Sequence, residues 1–246
     1  MIPAWLSLLD AILAVILLAV GIGGAHFYLV APMLGFQLFL LSVPLAALAF
    51  LIGLLGIART GAEPRRAGRP IALAGTILGL VVAVPLILII RSWMSMHAPL
   101  INDITTDFDN PPEFVKPPGM SPEAMKYRRD YFAPQQIAGY GKLEPLHLDD
   151  KPAQAFAKVN AAAHTMPGWE IVWVDPGTRT IEGIQRSDLF RFCDDFVIQV
   201  RPAADGAGSV VEMRSRSRDG KGDFAVNYHR IEDFFAMLKN ESAAKS

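Results

Sequence analysis

The chain has 246 residues, with 23 Lys and Arg against 24 Asp and Glu, five His and a single Cys. That balance argues against a nucleic-acid partner, whose binders carry clustered positive charge, and one cysteine excludes an intramolecular disulfide. The average conceals a division. Residues 1–92 hold only Asp10, Arg59, Glu63, Arg65, Arg66, Arg69 and Arg91 as charges, which leaves 18 basic and 22 acidic side chains, a net of −4, in the remainder. The first third reads as a membrane anchor and the rest as a slightly acidic soluble domain.

In chain order, three apolar runs near 6–25, 36–58 and 71–90 are each long enough to cross a hydrocarbon core about 30 Å thick. The third contains no charged side chain. The first has Asp10 in its margin and a loosened end at Gly21-Ile22-Gly23-Gly24. A cleaved signal peptide is the rival reading of the first run, with Gly24-Ala25 as small cleavage residues, but no Lys or Arg precedes the run. Between the second and third runs Arg59, Arg65, Arg66 and Arg69 face only Glu63, whereas 31–35 carries no charge. The positive-inside bias therefore keeps the arginines cytoplasmic. The soluble domain then lies on the outer side, which for a bacterial inner-membrane protein is the periplasm, with Trp93 as an aromatic anchor at that interface. Asp10 and His26 are the candidate intramembrane ionisable residues, and both fall near span ends. Gly75-Thr76-Ile77-Leu78-Gly79 fits a small-residue helix contact, although glycine is common in such helices. The region reads as an anchor, with the lipid bilayer as its partner.

Residues 93–142 read as an extended connector with one short helix. The acids Asp103, Asp107 and Asp109 lack the glycine and distal glutamate of a calcium loop, so a solvated turn is expected there. Ser121-Pro122-Glu123 opens a helix that should end before Pro134. Its Lys126, Arg128 and Arg129 lie near Glu123 and Asp130, as on a solvated helix.

Residues 143–240 carry the pattern of a soluble α+β domain. A short strand at 143–148 precedes Asp149-Asp150, expected to cap a helix with Pro152 in its first turn. Ala155, Phe156, Val159, Ala162, Ala163 and Met166 form its apolar stripe. Runs at 169–174, 180–190, 194–201 and 209–218, joined by Gly/Asp turns, argue an antiparallel meander. A last helix starts near Asp223. The expected fold is a two-layer sandwich, an antiparallel four- to five-stranded sheet with two helices on one face, preceded by the all-α three-helix transmembrane region of 1–92; 241–246 should be a disordered tail. Alternation turns Trp169, Ile171, Trp173, Phe196, Ile198, Val200, Val211 and Met213 toward the helices. Glu212, Arg214, Arg216 and Arg218, with Glu182, Arg186 and Asp188, then face the other way, on an open surface.

Several segments resemble the family catalogued as domain of unknown function 1499. They are Ile101-Asn-Asp-Ile-Thr-Thr-Asp107 with Asn110-Pro-Pro-Glu-Phe114, Leu189-Phe-Arg-Phe-Cys-Asp-Asp-Phe196, and above all Arg214-Ser-Arg-Ser-Arg-Asp-Gly-Lys-Gly-Asp-Phe-Ala-Val-Asn-Tyr-His-Arg-Ile231. The resemblance covers roughly 101–240 and departs at Gly141, where the family tends to proline. It implies a shared fold and carries no activity, ligand or cofactor.

No Ser-His-Asp, Cys-His or paired-carboxylate arrangement follows from spacing, and the five histidines are scattered. No catalytic residue, metal site or cofactor is expected. Gly220-Lys221-Gly222 precedes a helix start, but Asp223 as its cap would already occupy the amides. What remains is a polar constellation: Asp194, Asp195, Arg214, Arg216, Arg218, Asp223, Asn227 and Arg230. One reading pairs the acids with the arginines across strands while Asp223 and Asn227 hold the strand–helix corner. The other makes the arginine row a site for an anionic partner, a lipid headgroup, glycan or protein carboxylate, because the guanidinium fork meets such groups with two bonds. The sequence thus suggests a membrane-anchored envelope protein with a periplasmic binding or scaffolding domain; the alternative is a hydrolase of an envelope lipid or glycan. It leaves the oligomeric state open.

Overall fold

A computed structural model describes residues 1–60, 68–115 and 121–243. Arg65 and Arg66 of the arginine stretch and residues 244–246 of the expected tail lie outside them, whereas Glu241–Ala243 continue the last helix. The chain divides into two units, Met1–Met96 with Asp188–Arg191, and His97–Ser187 with Phe192–Ser246.

The first unit is built on α1 (Ile2–His26), α2 (Pro32–Thr60) and α3 (Arg69–Ser95), three helices long and apolar enough to cross a membrane. Each exceeds its sequence-expected span at both ends. At 1.5 Å per residue the 25 residues of α1 reach about 37 Å. Small residues line the contacts. A Cβ on Gly75 would lie 2.2 Å from Ser7 Oγ and 2.7 Å from the Leu8 nitrogen, and one on Gly79 2.7 Å from the Ala46 carbonyl. The two glycines of that motif therefore face different helices, Gly75 toward α1 and Gly79 toward α2. The Ser7 hydroxyl donates to the Ala49 carbonyl at 2.8 Å, which supplies a partner where lipid has none. Trp93 packs within the unit, its ring 5.8 Å from that of Phe39.

The second unit is α+β. Its sheet has six strands: β1 (Asp103–Thr105), β2 (Leu146–Leu148), β3 (Trp169–Asp175), β4 (Thr180–Arg186), β5 (Cys193–Pro202) and β6 (Ser209–Ser217). The order is β1-β6-β5-β4-β3, all antiparallel, and β2 also pairs with β6. The meander of the last four strands is the one the alternation predicts. The sixth strand, β1, comes from the stretch expected to be a connector. Its far edge is met by a side chain: the Gln136 amide accepts from the Thr105 N–H at 3.1 Å and donates to the Thr105 carbonyl at 2.8 Å.

Helices α6 (Pro152–Ala163) and α7 (Val226–Ala243) cover one face of the sheet. Phe196, Ile198, Val200, Val211 and Met213, all fully buried, meet Val159, Ile231 and Phe234 there. The inward row holds except in β3. A bulge between Ile171 and Trp173 shifts the register, so Val174 joins the core and Trp173 pairs beside Glu182 on the opposite face. The helix expected over 121–132 is two, α4 (Pro122–Met125) and α5 (Arg129–Tyr140), and α5 runs through Pro134. That proline lies early in the helix, where the bond it forfeits is to Asp130, in the first turn. Asp150 does not cap α6. Lys151 is the N-cap, without a side-chain bond, and Asp150 instead pairs with Lys158 at 2.5 Å.

The face away from α6 and α7 is not open. Arg214 is fully buried, and Glu182 and Glu212 nearly so. A strap formed by residues 106–115 and Tyr127 crosses it: the Val115 N–H donates to Glu182 Oε1, Arg201 donates to the Asn110 carbonyl at 3.2 Å, and Phe114 lies under Arg214. Beneath the strap the Glu212 carboxyl, 2.8 Å from Arg201 Nη1 but without a hydrogen bond to Oε2, is pushed by burial up to about 7, beyond what Arg201 recovers. The folded state therefore holds this proton more tightly than the unfolded chain. The associated stability is present below the ordinary glutamate range and is lost as pH rises through about 7. Raising the pH from 5 to 8 is expected to lower stability by about 2 kcal/mol through this group. Glu212→Gln should flatten that slope in melts of the solubilised protein; an unchanged slope would refute the assignment.

Candidate functional site

The eight candidate residues do not form one site. The sheet separates them into two groups, because successive side chains of β5 and β6 point to opposite faces.

The inner group lies where β6 turns into α7. Arg230, on the first turns of α7, donates to Asp194 Oδ2 at 2.6 Å, to Gln185 Oε1 at 2.8 Å, to Ser215 Oγ at 2.7 Å and to Asn227 Oδ1. Asn227 in turn donates to Ser217 Oγ at 2.9 Å and accepts from Ser215 at 2.7 Å. The small residues Ser215 and Ser217 thus form polar contacts to the helix as well as allowing its approach. Asp223 accepts from the backbone N–H of Ala225 at 3.1 Å and of Asn227 at 3.0 Å, so it caps α7 from three residues before Val226. Burial raises its carboxyl above the usual range, against those hydrogen bonds. Between cap and helix Phe224 and Ala225 both have positive φ, 53° and 67°, a conformation that costs each residue free energy and that the Asp223 bonds hold in place. Asp194, Ser215, Ser217, Asp223, Asn227 and Arg230 are all buried, and hydrogen bonds tie them to one another or to the start of α7. The corner is a structural joint.

The outer group holds Asp195, Arg214, Arg216 and Arg218, together with Asp103, whose role the sequence does not signal. Asp103 was expected in a solvated turn. It is instead fully buried on β1, and its two oxygens accept from Arg214 Nε and Nη2, each at 2.8 Å. The three acids of that stretch do not share a site: Asp107 Oδ1 accepts from the Asp109 and Asn110 N–H groups, and Asp109 pairs with Arg129 at 2.8 Å. The Arg214 guanidinium lies 4.9 Å from the Phe114 ring centroid and 5.3 Å from that of Tyr127. Asp195 is likewise taken by both arms of Arg218, at 2.8 and 2.7 Å, and that bond raises the Arg218 pKa above its ordinary value. Arg216 stands between the two pairs. Its Nη1 is 3.6 Å from an Asp103 oxygen that Arg214 already engages, and its side chain is 16% exposed. Desolvation lowers its pKa from the ordinary value, and Arg214 and Arg128 add to that effect, while Asp103 and Asp195 oppose it. The guanidiniums of Arg128 and Arg214 and the carboxylates of Asp103 and Asp195 thus all lie close enough to act on Arg216.

Cys193 is half-buried, and burial raises its thiol above the ordinary range, the opposite of an activated nucleophile. Among the described residues no group of three or more His, Cys, Asp or Glu is placed to hold a metal ion. A cavity of about 710 Å³, lined by Ala4, Gly56, Arg59 and Gly68 among others, belongs to the first unit and to neither polar group.

No curated protein matches the chain. Residues 103–238, more than half of it, match the family model described as "Protein of unknown function (DUF1499)". The matched span begins at Asp103 of β1 and ends at Leu238 of α7, so it takes in the whole sheet, α6 and most of α7. The protein belongs to the DUF1499 family.

Proposed function

We propose that this is an envelope protein held in the inner membrane of a bacterium by α1–α3, with its α+β unit in the periplasm acting as a binding or scaffolding module for an anionic ligand. The observation that carries the ligand class is the gathering of guanidiniums at the edge of the outer face. The side chains of Arg216 and Arg218 are 16% and 26% exposed, and exposed Arg128 lies close enough to Arg216 to lower its pKa. A carboxylate or phosphate is the group that answers it. Arg214, fully buried, supports the site from beneath and does not reach the ligand.

The expected result is that dihexanoyl phosphatidylglycerol, a soluble anionic headgroup probe, binds the full chain in neutral phosphatidylcholine nanodiscs, as measured by titration calorimetry. Arg128→Gln with Arg216→Gln should weaken binding at least tenfold while shifting the melting temperature by only a few degrees, since Arg128 is exposed and the two-armed bonds to Asp103 and Asp195 come from Arg214 and Arg218. Equal affinity in the double variant, or collapse of its melting, would overturn the reading. The placement has separate support in the arginines Arg59, Arg65, Arg66 and Arg69, which run from the end of α2 to the start of α3. A reporter active only in the periplasm, fused after Ser246, should be active; silence would reverse the orientation.

A further inference from the structure

Asp10 is the one charged side chain among residues 1–58. It lies eight residues into α1, about 12 Å along the axis, and not at the end of a span as the sequence suggests. In a helix of this length crossing about 30 Å of hydrocarbon, that depth is inside the apolar layer. Ionisable groups there are costly and face partners. No hydrogen bond or ion pair reaches the Asp10 carboxyl among the described residues. It sits half-buried at the rim of the helix contact: Ser7, Ala11 and Ala14 beside it are buried in the bundle, while Leu6, Leu9 and Leu13 are exposed. The described arginines of α1–α3 lie at helix ends. Arg59 is in the last turn of α2, Arg69 is the first residue of α3, and Arg91 is near that helix's other end. Gly56, one turn from Arg59, lies against Ala4, which puts Arg59 level with the start of α1 and about two turns from Asp10.

We propose that Asp10 is a self-association residue: a second copy of the chain packs along the exposed Leu6–Leu13 strip of α1, and the two Asp10 carboxyls hydrogen-bond to each other. The inference rests on the reading of α1–α3 as membrane spans. In its acid form the side chain has one O–H donor and acceptor oxygens, so it is complementary to itself. A two-fold axis sets each residue of such an interface against its own copy. In a parallel pair the one polar group at that depth on the second copy's α1 is its own Asp10. Any other register would leave both carboxyls against leucine.

Single-molecule photobleaching of the full chain in phosphatidylcholine vesicles, at low protein-to-lipid ratio, tests this. Wild type should bleach in two steps, Asp10→Leu in one, with the two-step fraction reduced at least tenfold. Asp10→Asn should keep two steps, because a carboxamide is also both donor and acceptor. Single-step wild type, two-step Asp10→Leu, or capture of a different protein's basic helix in place of a second copy would overturn the pairing. Carbonate extraction of the same proteins from membranes separates the two claims. Release of wild type into the soluble fraction would sink the spanning reading itself, and the pairing with it.

Discussion

Replacing Arg214 by methionine is expected to cost about 3–5 kcal/mol of stability. The substitution leaves Asp103, fully buried, without either of its two 2.8 Å bonds from Arg214 and with Arg216 as its remaining cation, 3.6 Å away. For a unit of this size the melting temperature should fall by roughly 10 °C, read by near-ultraviolet circular dichroism of the solubilised full chain. The double variant Asp103→Leu with Arg214→Met should recover much of the loss, because removing both partners avoids the unpaired buried charge. A single variant as stable as wild type would mean the pair carries no such role. A double variant as unstable as the single one would mean that the loss comes from packing against Phe114 and Tyr127.

Gly75→Leu is the second large effect. A Cβ at that position would sit 2.7 Å from backbone atoms of both Ser7 and Leu8, far inside van der Waals contact. Neither helix can relieve this by turning a flexible side chain, so α1 and α3 must separate. Overpacking of this kind costs about 1–3 kcal/mol or more, and the Ser7 hydroxyl bond to Ala49 is disturbed with it. The expected result is a chain that still inserts but is cleaved between α1 and α2 by protease at a concentration that spares wild type. Gly23→Leu, with nothing within 4 Å of its Cβ position, is the matched control. Equal protease resistance in the two variants would refute the close packing at Gly75.

The α+β plan was legible because its signal is local. Strand alternation from Phe196 to Val200 and from Val211 to Met213, and the apolar stripe of α6, are patterns within single elements, and each survives in the core. What could not be read was either short or distant. β1 has three residues, too few for a period, and its partner β6 follows more than a hundred residues later. The same distance hides the Asp103–Arg214 pair, so alternation alone gives an exposed row of three arginines whose first member, Arg214, is in fact fully buried. The bulge at Ile171/Trp173 reverses the facing of Trp173, and β3 itself holds no glycine or proline to announce it. For the candidate residues, the pairing of Asp195 with Arg218 and the Asp223 cap follow from neighbouring strands and from capping chemistry. The division of the eight into two groups follows from pleat parity, which the residue list alone does not express.

The Gln136 amide, bonded to both backbone groups of Thr105, has a consequence for how this protein ages in solution. An unpaired strand margin is a template on which another chain's strand can add. On the β1 side that template is closed at Thr105 by a side chain imitating one more residue of ladder. The opposite margin is β3, where the bulge breaks the regular spacing of donors and acceptors. The sheet therefore has no long regular margin at either end. Loss of the single carboxamide, whether by deamidation or by Gln136→Ala, would reopen the β1 side and favour fibrillar growth over reversible unfolding.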